Sequence, residues 1–85
     1  MKNHENTTKC ILLLGHVQAQ QKYFSDAIKS FMKVVEIYES QPRNSSVSKL
    51  LADLYFMVGI LYELMGEDST AVINFDLSSR HYAQS

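Results

Sequence analysis

The sequence predicts an all-α protein of four helices arranged as two antiparallel pairs. Three glycines and one proline in 85 residues leave few places to turn, so the elements must be long. Long elements in a short chain are helices, because several strands would need more punctuation. Apolar residues also recur at spacings of three and four, the period of a helix face. A hydrophobic fraction of 46% is that of a globular chain. The length is that of one domain, residues 1–85, with a thin core.

Met1 to Thr8 reads as a polar, frayed start, with Thr7 or Thr8 capping a first helix that runs to about Gln20 or Gln21. Its apolar positions are Ile11, Leu12, Leu14, Val17 and Ala19. Ser25 reads as the N-cap of a second helix, with Asp26 favourable in its first turn. Ala27, Ile28, Phe31, Val34, Val35 and Tyr38 form its stripe, and Lys29, Lys33 and Glu36 its solvated side. This helix ends before Pro42, since the residue before a proline avoids the helical region. Ser45 or Ser46 reads as the cap of a third helix running to about Met65, where Gly66 fits a C-terminal stop. The fourth runs from Asp68 or Ser69 to about Tyr82, with Ala71, Val72, Phe75 and Tyr82 on one side and an Asp76–Arg80 surface pair.

From Leu54 to Tyr62 the third helix is apolar or glycine on every side. Such a helix is buried in the middle of a structure or covered by a partner.

The two halves repeat one another. Gly15 is followed twelve residues later by Ala27 and four after that by Phe31; Gly59, Ala71 and Phe75 recur at the same spacings. Glycine lets the second helix of a pair approach the first, alanine sits at the tightest point of the crossing, and phenylalanine fills the groove below. The repeats span about 8–41 and about 46–84.

These residues resemble the tetratricopeptide repeat (TPR) family over about residues 8 to 83. Leu14-Gly15 and Val58-Gly59 sit where that family places Leu-Gly, Tyr62 where it has a first-helix tyrosine, and Phe24 at its aromatic position before the second helix. Gln18 and Asp68 depart from the pattern, and Pro42 lies a few residues late. The glycines are 44 residues apart, against about 34 for the standard unit, so the resemblance is to a long-helix subtype. Lys49 to Tyr62, with Leu14 to Val17 and Tyr23 to Phe31, is similar to the SHNi-TPR histone chaperones, although the long acidic tracts of that group are missing here. The resemblance implies a short TPR-like α-solenoid and a protein–protein interaction module: an adaptor or scaffold, or alternatively a histone-binding chaperone.

The resemblance also implies a concave groove lined by the first helix of each pair. Family members that clamp a carboxylate tail carry Lys and Asn three before and one after the glycine. Here those positions hold Leu12 and His16, and Phe56 and Ile60. The expected groove is therefore apolar, with Leu12, His16, Phe56, Ile60 and Glu63 on or near it, and suits a helical or hydrophobic segment of another protein. Phe56, Met57 and Ile60 equally fit packing against a neighbouring helix of the same chain. Because two repeats without a capping helix leave apolar surface uncovered, a longer native chain, a partner or a homodimer closed by the third helix would complete the fold.

No catalytic constellation is visible, so the expectation is a protein that is not an enzyme and carries no cofactor. His4, His16, His81 and Cys10 lack metal-ligand spacing. A net charge of −1 without a basic cluster argues against nucleic acid, and no apolar run approaches a membrane span. One cysteine permits no disulfide within the chain, which suits an intracellular protein of the cytoplasm or nucleus. Cys10 itself reads as a buried, inert side chain.

Overall fold

The computed structural model describes residues 3–85, with side chains from Asn6 onward. Met1, Lys2 and the side chain of His4 lie outside the described residues. The fold is all-α: α1 (Asn3–Gln20), α2 (Phe24–Glu39), α3 (Ser45–Leu64) and α4 (Asp68–Gln84). Each helix packs on its neighbours in sequence, α1 on α2, α2 on α3 and α3 on α4. The molecule is flat, with principal extents of 38, 27 and 15 Å. The inner helices pack extensively on two others and the outer helices on one, so the core is built mainly by α2 and α3. Phe31, Val34, Leu51 and Val58 are its most enclosed apolar side chains.

The repeat is visible in the backbone. α1 and α3 end, and α2 and α4 begin, 44 residues apart. In the first hairpin Tyr23 N donates to Gln18 O at 2.8 Å and Lys22 N to Ala19 O at 3.0 Å. In the second, Glu67 N donates to Tyr62 O at 2.8 Å and Gly66 N to Glu63 O at 3.0 Å. This pair of bonds is a Schellman motif, which closes a helix through one left-handed residue. That residue is Lys22, at φ 69°, in one turn and Gly66, at φ 83°, in the other.

Four local expectations are corrected. α1 does not start at Thr7 or Thr8: both lie within the helix, and Thr8 is buried. Packing of Ile11 and Leu12 on the core carries the helix back beyond its apolar stripe. Ser25 is not the cap of α2; Tyr23 is, without a side-chain hydrogen bond, because the Schellman turn leads directly into the helix. α3 is capped by Asn44 instead of Ser45 or Ser46. The Asn44 backbone is extended, and its Oδ1 accepts from Val47 N at 2.9 Å, an N-cap as good as serine. Finally, Cys10 is exposed, since it sits on the side of α1 that has no neighbour. The Asp76–Arg80 pair forms, at 3.1 Å on the surface.

Candidate functional site

The two glycines set the geometry of the surface. A Cβ on Gly15 would stand 2.9 Å from a ring carbon of Phe31, and one on Gly59 2.7 Å from a ring carbon of Phe75. In each pair the second helix brings a phenylalanine ring against the first helix where a side chain is missing. Ala27 and Ala71 are buried.

Each phenylalanine also borders an apolar hollow. The one at Phe31 has a volume of about 200 Å³ and is walled by Ala19, Phe31, Met57, Ile60 and Leu61. The one at Phe75 is about 350 Å³ and is walled by Phe56, Phe75, Ser78, Ser79 and Tyr82. His16 stands edge-on to Phe31, with ring centroids 5.3 Å apart. Phe56 lies tilted against Phe75 at 5.5 Å.

The five expected groove residues divide accordingly. His16 and Ile60 both border Phe31, and both are exposed. Phe56, 46% exposed, belongs to the second hollow. Leu12 is half-buried and packs on the core. Glu63 is exposed and walls neither hollow. Ala19, Met57, Ser79 and Tyr82 were not anticipated at these surfaces. Their signal was the position of each phenylalanine sixteen residues after its glycine, which fixes the depth at which a hollow opens.

Polar side chains tie the helices together beside the hollows. Tyr55 Oη donates to Glu39 Oε2 at 2.9 Å, joining α3 to α2. Burial, and then the hydrogen bond to this carboxylate, push the Tyr55 hydroxyl up to about 12. His81 of α4 stacks on Tyr55 with ring centroids 5.5 Å apart, and its buried Nδ1 has no hydrogen-bond partner. Tyr82 Oη donates to Asp53 Oδ1, which raises the Tyr82 pKa. Ser78 Oγ donates to Ala52 O at 2.7 Å in the α3–α4 contact.

Among the described residues no group of three or more His, Cys, Asp or Glu side chains is placed to hold a metal ion. Within the same residues no helix is long and apolar enough to cross a membrane. Comparison with family models, curated proteins and solved structures finds no match to this chain.

Proposed function

We propose that this chain is a protein–protein interaction module of TPR-like type that holds a helical or hydrophobic segment of a partner and performs no catalysis. The observation that carries the reading is the outer face of α3. Phe56 and Ile60 stand exposed on it, four residues apart, while Val58 and Gly59 between them are buried and Met57 is half-buried. Exposed apolar side chains gathered around hollows, in contrast to singly scattered ones, mark an interaction surface. A helix with apolar residues at spacings of three and four would lay one side chain into each hollow. The two apolar hollows carry no convergent charged groups, which favours an apolar ligand over a carboxylate tail.

The test is binding of a fluorescent amphipathic helical peptide with leucines at i, i+3, i+4 and i+7, against a scrambled control. Binding is expected to fall at least tenfold in Phe56→Ala and Ile60→Ala, with a smaller loss of unfolding midpoint than a core truncation gives, because both side chains are only partly covered. Equal binding of peptide and scramble, or loss of stability in step with loss of binding, would make these residues packing elements only.

A further inference from the structure

We propose that copies of this chain associate head to tail, the free face of α1 in one copy seating on the free face of α4 in the next, as α3 seats on α2 within the chain. The 44-residue register, which the two turns follow bond for bond, allows the two halves to be compared position by position.

α3 turns Leu54, Met57, Val58 and Leu61 into the cluster it shares with α2. Their counterparts on α1 are Cys10, Leu13, Leu14 and Val17. These lie at i, i+3, i+4 and i+7, one continuous helix stripe, and all four are exposed. Val58 is 0% accessible while its counterpart Leu14 is 52% accessible. The opposite surface behaves in the same way. α2 carries Ile28, Phe31, Val35 and Tyr38, buried or half-buried. Their counterparts on α4 are Val72, Phe75, Ser79 and Tyr82. Ile28 is 6% accessible and Val72 63%. Phe75, Ser79 and Tyr82 wall the open hollow of about 350 Å³, so the next copy and a partner segment would compete for it. At the corresponding place beside Phe31, α3 supplies Met57, Ile60 and Leu61 as the far wall.

Over these positions one molecule thus exposes both sides of a contact that it also makes internally, in the same register, although Leu51, buried in the same cluster, has the polar counterpart Thr7. The packed pairs are α1 with α2, α2 with α3 and α3 with α4, so the two free faces lie at opposite ends of the stack. The polar chemistry is matched as well. The Tyr55–Glu39 hydrogen bond ties α3 to α2, and the counterparts of those residues are Ile11 and Ala83. Both members of the pair have become apolar together, so a contact between copies would leave no buried donor or acceptor there unpaired. Val35 has become Ser79, which makes this contact weaker than the internal one and its formation reversible. Joining unlike faces does not close after two copies, so the assembly grows as a rod or a large ring.

Leu13→Glu on α1 and Val72→Glu on α4 place a charge at positions already 65% and 63% exposed. Sedimentation velocity of the wild type should show mass rising beyond a dimer as concentration rises. Each variant alone should sediment as a monomer. Their equimolar mixture should give twice the monomer mass and nothing larger, because each variant keeps the face that the other has lost. A wild type that stays monomeric at millimolar concentration overturns the proposal. So does either variant persisting alone as a dimer, which would mean a symmetric contact through one face, or a mixture that stays monomeric while both variants keep their helical circular dichroism. Should a glutamate variant lose that signal, Leu13→Lys and Val72→Lys repeat the same mixing test.

Discussion

α2 and α4 occupy equivalent places in the two helix pairs, yet they are held by different chemistry. α2 is gripped from both sides and buries Ala27, Ile28, Phe31, Val34 and Val35. α4 packs along one helix, touches α2 where His81 approaches Glu39 at 3.8 Å, and buries only Ala71, Asn74 and Ser78. Where α2 has valine at 34 and 35, α4 has serine at 78 and 79. Burial is replaced by hydrogen bonds, from Ser78 to Ala52 O and from Tyr82 to Asp53. A helix with a free side cannot recover much hydrophobic energy, so short, directional contacts carry its attachment. α2 belongs to the core, and α4 is closer to an edge.

The largest effect expected from this contrast is at the two phenylalanines. Phe31→Ala should cost about 3–5 kcal/mol, the usual range for a fully buried phenylalanine. That is most of the stability of a small domain. Phe75→Ala, at a half-buried ring beside an open hollow, should cost roughly half as much. Urea unfolding of both variants measures the difference, and equal losses would mean the edge is packed as tightly as the core.

The glycines sharpen the same point. An added methyl meets a ring at under 3 Å in both pairs, and more closely at Gly59. Phe31 is 1% exposed and borders only the smaller hollow of about 200 Å³, whereas the half-buried Phe75 can turn into one of about 350 Å³. Overpacking costs about 1–3 kcal/mol, and replacing a helical glycine by alanine returns up to about 1 kcal/mol. Gly15→Ala should therefore destabilise by about 1–2 kcal/mol and Gly59→Ala by close to zero. Differential scanning calorimetry would show the ordering, which is the reverse of the ordering by distance.

Tyr55 links both regions. Its hydroxyl titrates near 10 in the unfolded chain and about 12 in the folded one, so the folded state holds the proton longer. That contribution is present in full below pH 10 and is lost as pH rises from 10 to 12. Tyr55→Phe should remove this alkaline slope from the stability curve and cost about 1 kcal/mol at pH 7, the net worth of an ordinary hydrogen bond.

The smallest effect separates the turns. Lys22 and Gly66 hold the same left-handed place in matching Schellman motifs. Lys22→Gly should stabilise by about 0.5–1 kcal/mol, since only lysine bears the Cβ strain of that conformation. Gly66→Lys should destabilise by a similar amount. Thermal melts of the pair test whether the two turns are energetically as alike as their hydrogen bonds.

Much of this organisation was legible in the sequence because its signals are local or periodic. The α2 stripe, the proline-limited loop, Gly66 after α3 and the Gly–Ala–Phe spacing each follow from residue type and helical period. The caps were less legible. Ser25, Ser45 and Asn44 offer similar cap chemistry, and the choice among them depends on where the preceding turn delivers the chain. Cys10, Leu14 and Val17 were misleading for a different reason. Periodicity says that a residue lies on an apolar stripe, and it does not say whether a neighbour covers that stripe.

The sequence by itself determined four helices, two pairs and a 44-residue register, because helix period and glycine spacing are properties of the chain. Only the tertiary structure decided which apolar faces are satisfied. α2 and α3 each gain two neighbours, while α1 and α4 keep Leu13, Leu14, Val17 and Val72 in water. The physical reason is that burial belongs to a pair of surfaces, and a linear stack of four helices always leaves its two end faces without a mate.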